Sequence, residues 1–437
     1  MGEIELIPDL VTDTISYLLS LDFPGFVRVF WFFLIFDLPR YFLSDLYIFF
    51  DTLFSNNKAE ADDGFILQLR HNPPLISIII PVLNEQDTIA WTIRSLQEQS
   101  YANLQLIIVD DGSTDDTHKI CQQLAKQENI TSLRFSTRAG KSAALNYGLK
   151  FAKGEFVVFV DSDTTFDRHS IYELMKTFAD PTVGGVSGNL RVRNGNLNVL
   201  TNLQQIEYLF TISIGRRIRS RFGILPIISG AFGGFRRELI SLETMGGHEP
   251  GPGNDSDLAI RVRKKGYQIV FQPNAVCLTN VPDKLMSLVR QRSRWDRNLV
   301  KNRLRKHKDV FNPFSKNFKF IDLITFIDSL FFSAVISSIA VFYLIDLALN
   351  FTQILPVLLF INFCLYFSAE VVELFIAAYL NQNARDLKLI FYLLIFNPYK
   401  LILKFVRIGS YLQELFFHYS YRDQFAPIKV RERMIRW

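Results

Sequence analysis

Residues 76–85 read ISIIIPVLNE, residues 104–115 read LQLIIVDDGSTD and residues 156–164 read FVVFVDSDT. Each is a short apolar run that ends on acidic or amide side chains. Runs of this length, rich in Ile and Val, suit strands buried on both faces. Helix-like segments separate them. Strand, helix and strand in alternation predict a Rossmann-type, mostly parallel α/β sheet covered on both sides. Ligands bind such sheets in the crevice beyond the carboxyl ends of the strands. Asn84 and Glu85, Asp110 and Asp111, and Asp161 and Asp163 all fall at that edge.

One acidic strand end is ordinary, because Asp and Asn open turns and cap helices. Three on one edge repel one another and call for a compensating cation. A D-x-D pair such as Asp161 and Asp163 offers hard oxygen ligands for Mg²⁺ or Mn²⁺, which would neutralise a diphosphate. Arg138 and Lys141, in RAGKSAALN, add positive charge just before a helix start, where an anion can be gripped.

The chain has 437 residues, enough for two or three domains. It is 21% charged and 49% apolar, which excludes a disordered chain. A net charge of +5 is too small to suggest nucleic acid. Cys121, Cys277 and Cys364 are far apart and fit neither a disulfide framework nor a zinc site. The histidines, His71, His118, His169, His248, His307 and His418, show no metal-ligand spacing and receive no role. Trp31 and Trp91 read as packing or interface residues. No internal repeat or low-complexity tract is visible.

The 41 phenylalanines gather towards the two ends. Phe23–Phe54 is apolar but interrupted by Asp37, Pro39, Arg40 and Asp45, and reads as one kinked span or two interfacial pieces. Its leader (Glu3, Glu5, Asp9, Asp13) is acidic, unlike a signal peptide. Phe320–Leu349 and Ile354–Leu380 are each long enough to cross a bilayer. Leu387–Phe417, with Pro398, Lys400, Lys404 and Arg407, reads as a part-interfacial helix. Three regions follow: residues 1–72 as an N-terminal membrane or interfacial segment, 73–318 as a soluble cytoplasmic α/β domain, and 319–437 as transmembrane and interfacial helices with a basic tail.

Charge sets the expected orientation. Arg290–Lys308 is strongly basic, its run after Trp295 reads as an interfacial amphipathic helix on anionic lipid, and Arg422, Lys429, Arg431, Arg433 and Arg436 lie near the C-terminal end. Both flank apolar blocks, so both should be cytoplasmic in a multi-pass plasma-membrane protein. Asp328, Glu370 and Glu373 lie inside the apolar blocks, where a charge is costly. They either line a polar channel or pair with partners and interface groups.

The motifs SIIIPVLNE, VDDGSTD, RAGKSAALN and VDSDT, in that order, resemble the nucleotide-sugar half of the inverting family-2 glycosyltransferases. GNDSDL at Gly253–Leu258 and QRSRW at Gln291–Trp295 extend the likeness to the membrane-embedded processive members, the cellulose, chitin, hyaluronan and poly-N-acetylglucosamine synthases. The resemblance covers about Ile76 to Asn298. It implies a GT-A-like domain, a UDP-sugar donor, a growing polysaccharide or lipid acceptor, and Mg²⁺ or Mn²⁺.

Carried over residue by residue, it implies that Asp111 hydrogen-bonds the uracil near the loop Pro81–Glu85. Asp161 would lie by the nucleotide, Asp163 would bind the metal, and Arg138 and Lys141 would line the pocket. Asp255 would be the general base, and Gln291, Arg294 and Trp295 would close over the diphosphate and the acceptor end. Gly230, within SGAFGGFRR, would line the acceptor site. Asn254 stands where relatives usually carry an acid, so Asp255 should ionise more easily. By spacing alone, Asp255 and Asp257 read as surface helix residues. The rivals are an enzyme that adds one sugar to a lipid and, from another class, a non-catalytic nucleotide receptor.

Overall fold

The computed structural model describes residues 6–54, 63–240, 254–316, 318–422 and 427–433. Glu3, Glu5, His248, Gly253 and Arg436 lie outside them. The chain divides into two units, one of residues 56–329 with 409–437, the other of residues 1–55 with 330–408.

The first unit is built on a single sheet of eight strands: β1 Ile76–Val82, β2 Leu104–Asp110, β3 Ile130–Arg134, β4 Phe156–Val160, β5 Thr165–Phe166, β6 Val183–Val192, β7 Phe232–Arg236 and β8 Gln268–Thr279. Their order is β3-β2-β1-β4-β7-β6-β8-β5. From β3 to β4 every pairing is parallel. All residues of β1 and β4 are buried, which is why those runs are apolar except for Ser77, whose hydroxyl donates to Gln105 Oε1 at 2.6 Å. Register aligns Val82 of β1 with Asp110 of β2, so the two strands finish level and hand their acidic ends to one edge.

The far half supplies the antiparallel pairings of this mostly parallel sheet, beside one more parallel pair, β6 and β8. β7 is antiparallel to both β4 and β6, and β5 is antiparallel to β8, so the sheet as a whole is mixed. β7 itself is hidden in the run FGGFR. Glycines have low strand propensity, and they disguise a strand whose backbone must be approached closely. A Cβ on Gly234 would stand 2.6 Å from Leu174 Cδ2, in the helix Ser170–Lys176 beside it.

The second unit is helical. Phe23–Phe32 starts on Asp22, whose carboxylate accepts the Gly25 amide at 2.8 Å. A π-helical stretch, Phe33–Leu43, then absorbs Pro39 before Ser44–Phe54 resumes the α-helix. Phe32 stacks on Tyr343 at 5.5 Å between ring centres, and the Tyr343 hydroxyl donates to the Val29 carbonyl at 2.9 Å.

Among the described residues, two helices are long and apolar enough to cross a membrane, Phe320–Asn350 and Thr352–Leu380. Ala384–Leu393 and Phe396–Phe417 form a pair bent by 77° that would count as a third only if taken as one broken span. Phe23–Phe54 is not among the helices that meet this measure of length and composition. The acids of the apolar blocks have partners: Glu370 meets Lys400 Nζ at 2.5 Å, and Asp37 accepts the Tyr366 hydroxyl. Asp328, in the sheet unit, meets Arg219 Nε at 2.8 Å. Asp328 and Glu370 are thus both paired with cations.

Gly154 sits where β4 begins. A Cβ there would stand 2.6 Å from both the Leu75 carbonyl oxygen and the Ser77 amide nitrogen. Backbone cannot retreat as a side chain can, so Gly154→Ala should cost about 1–3 kcal/mol and lower the thermal midpoint of the purified protein in a melting scan.

Candidate functional site

The edge formed by the ends of β1, β2 and β4 holds the site. Gly112 adopts φ +78° just past β2, a left-handed conformation that turns the chain back towards the segment before the helix Lys141–Leu149. A Cβ on Gly112 would touch the Arg138 amide nitrogen at 3.0 Å, so this close approach needs glycine. It brings the Asp111 carboxylate onto the backbone of that segment. Asp111 accepts the Ala139 amide at 2.6 Å and the Gly140 amide at 2.8 Å, and Arg138 Nε lies 4.0 Å away. Burial pushes the Asp111 carboxyl above its ordinary value, against those amides and Arg138.

Lys141 is the centre of the cluster. Its ammonium is bonded to Asp161, which follows β4. A Cβ on Gly230 would stand 3.5 Å from Lys141 Nζ and 3.6 Å from Asp255 Oδ2, which puts Gly230, Lys141 and Asp255 in one small space. Burial pulls the Lys141 ammonium down, yet the charges of Asp161, Asp255 and Asp163 hold it above the usual lysine value. Glu85, at the end of the β1 loop, feels Asp163 and Asp161 and sits above its ordinary value through burial and those like charges. Asp163 is raised for the same reasons, burial first and Asp161 second. Pro81 lies buried in β1, paired with Val109 of β2.

Asp255 opens the helix Asn254–Lys264 and accepts the Ser256 amide at 2.9 Å. Burial raises its carboxyl above the usual range despite Lys141, Ser256 and Arg216. The missing like charge at Asn254 is therefore outweighed by desolvation. Asp255 and Asp257 are not surface helix residues. Asp257 is 1% exposed, with His307 Nε2 at 2.6 Å, Lys306 Nζ at 3.1 Å and Arg261 Nε at 3.1 Å.

Gln291, Arg294 and Trp295 sit on the helix Leu285–Val300, with Trp295 44% exposed. Arg292, inside the same motif, is buried. It donates to Glu207 at 2.8 Å and lies 4.4 Å from the Trp295 ring centre, an Arg–indole contact that braces the aromatic plane.

The basic run after Trp295 is not a solvated lipid-facing surface: Lys301 and Arg303 are buried, and Arg305 binds Glu414 at 2.7 Å. Besides Arg292, two contributors escaped the sequence reading. Arg216 donates to Ser187 at 3.0 Å, and its charge acts on Asp255. His307 anchors Asp257. An arginine pair in the run SIGRR, directly after an apolar helix, was the available signal for Arg216.

Among the described residues, no three His, Cys, Asp or Glu side chains converge as a protein metal cage. Two carboxylates on one turn, Asp161 and Asp163, crowded by Glu85, instead suit a divalent cation that takes its remaining ligands from substrate phosphates and water.

Residues 77–242 match the sequence family described as Glycosyl transferase family 2. The chain thus carries a family-2 glycosyltransferase domain. A N-acetylglucosaminyltransferase of Azorhizobium caulinodans is 31% identical over 52% of this chain and 60% of its own length. A poly-beta-1,6-N-acetyl-D-glucosamine synthase of Staphylococcus aureus is 31% identical over 50% of this chain and 53% of its own. The chain spans little more than half the length of the curated relatives it matches. In fold it resembles the Pyrobaculum calidifontis mannosyltransferase PcManGT, solved with GDP-Man and Mn²⁺, with a TM-score of 0.53, 24% identity and coverage of 78% of this chain and 87% of that one. The mixed α/β sheet is a GT-A fold.

Asp111→Ala removes the acceptor for two backbone amides. The expected result is faster hydrogen exchange at Ala139 and Gly140, by roughly the 1–3 kcal/mol that an unsatisfied buried group costs, with β1 and β4 unchanged.

Proposed function

We propose that this chain is a processive, inverting, membrane-bound glycosyltransferase. It would extend a β-linked polysaccharide from a UDP-sugar on the cytoplasmic face and pass the polymer across the membrane. The observation that carries the reading is the placement of Asp255 beside Lys141 and Gly230, where the strand-end acids also gather. A proton acceptor and a diphosphate-binding edge then share one space. QRSRW, the apolar helices and the two N-acetylglucosamine-transferring relatives support polymer synthesis, with UDP-N-acetylglucosamine the first donor to try.

Asp111 and the loop Pro81–Glu85 would hold the uracil, with Arg138 and Lys141 along the nucleotide. A divalent cation on Asp163, with Asp161 beside it, would supply charge to the leaving diphosphate. The acceptor hydroxyl oxygen bonds to the anomeric carbon as the carbon–diphosphate oxygen bond breaks. That electron pair leaves on UDP, and the hydroxyl proton passes to Asp255. A carboxyl raised by burial is a better proton acceptor than an exposed one, and such a base contributes about 10²–10⁴-fold. Lys141 and Arg216 keep it ionised at neutral pH. Trp295 offers a flat apolar face to a sugar ring.

Asp255→Asn should abolish UDP release and polymer formation while UDP still binds, and Asp163→Ala should lose metal-dependent UDP binding. Substantial turnover by Asp255→Asn would refute the assigned base. Sizing the product from radiolabelled UDP-sugars, with GDP-mannose alongside, separates polymer from single-sugar transfer, and no turnover with any donor would favour a receptor.

The pH dependence has a definite sign. Asp255 must be ionised, so kcat/KM falls as pH drops through its raised value, above the ordinary aspartate value of about 3.9. Arg216→Met removes a charge that favours the ionised form, so the acid limb of the profile should move to higher pH.

A further inference from the structure

Asp255 and Asp257 are two residues apart on one helix, and at about 100° per residue they face nearly opposite ways. Asp255 faces Lys141. Asp257 faces the segment that continues the QRSRW helix, where the backbone widens into a π-helical stretch, Lys301–Lys306. Three successive residues of the base helix are engaged there or at the site. Ser256 Oγ accepts the Asn302 amide at 2.5 Å, and Asp257 Oδ1 takes both His307 Nε2 and Lys306 Nζ. About two turns along, Lys264 Nζ lies 3.0 Å from His307 Nδ1 and 2.8 Å from Asp309.

The imidazole has only one arrangement that fits. Lysine donates and cannot accept, so Nδ1 of His307 accepts from Lys264 and Nε2 carries the proton given to Asp257. Burial lowers the His307 value, which keeps the ring neutral at physiological pH. His307 thus ties both ends of the helix Asn254–Lys264 to one short segment.

We propose that Asp257 is a positioning residue for glycosyl transfer: with Ser256, it locks the helix that presents Asp255 onto residues 302–307, and so fixes the base relative to the motif helix that carries Trp295. The inference rests on the proposed function, because it assigns Asp257 to the geometry of that reaction. A merely structural ion cluster would stabilise the fold without affecting one kinetic step more than another. A positioning clamp acts on the orientation of the base, so its loss falls on kcat and leaves the donor site intact.

The test uses the full chain in membranes or nanodiscs, with UDP release for kcat and donor KM, and UDP affinity measured separately. Asp257→Asn should lower kcat by up to roughly 10²-fold, the scale of a small misplacement of a catalytic group, with donor KM and UDP affinity little changed. Ser256→Ala, a gentler change, should lower kcat in the same selective way but less. His307→Gln keeps a neutral donor towards Asp257 and should retain most of the rate that His307→Leu loses. The clamp is overturned if Asp257→Asn and Ser256→Ala keep the parental kcat. It is equally overturned if kcat and UDP binding fall together in both, as loss of folded protein would give. Asp255→Asn in the same assay separates the two claims: if it turns over, the proposed function itself fails, whereas a dead Asp255→Asn beside a fully active Asp257→Asn removes only the clamp.

Discussion

The contact between the Lys141 ammonium and the acids around it organises this protein. Asp161 binds it directly, and Asp163 and Asp255 lie within its field. Carboxylates brought together by parallel strand ends repel one another, and burial makes Asp163 and Asp255 harder to ionise. One lysine at a helix start compensates part of that charge and leaves a net negative edge. The domain's remaining features serve that edge. β1 and β2 finish level, Gly112 turns the chain back towards the segment before Lys141, and Asp255 meets Lys141 beside Gly230.

Much of the edge was readable in the amino-acid string because its logic is local. Apolar runs with acidic ends gave β1, β2 and β4 within a residue, and the order of motifs named the family before any geometry. β7 was not readable, since its two central glycines suppress the apolar signal that marks a strand. Neither was its antiparallel insertion, which no local pattern encodes. Arg216, Arg292 and His307 were missed because burial of a charge depends on partners distant in sequence. Arg292 needs Glu207, and His307 needs Asp257. The basic run after Trp295 misled for the same reason. Its composition suits a lipid-facing surface, but Lys306 and Arg305 spend their charge on Asp257 and Glu414.

The apolar segments divide similarly. Length and hydropathy located Phe320–Asn350 and Thr352–Leu380, because a spanning helix is defined by those two quantities. The interruptions in Phe23–Phe54 mattered more than its phenylalanines. Asp37 and Pro39 fall in the π-helical stretch, where the regular helix ladder is broken. Acids within apolar helices are kept by specific partners such as Lys400 for Glu370, which the one-dimensional pattern cannot pair.

A structure of the full chain with UDP and Mn²⁺ tests the central claim most directly. The account predicts the diphosphate lying along Lys141, the cation bound through Asp163, the uracil against Asp111, and the Asp255 carboxylate facing the position of the anomeric carbon from the acceptor side. A diphosphate bound elsewhere, or an Asp255 carboxylate turned out of the nucleotide cavity, would contradict it.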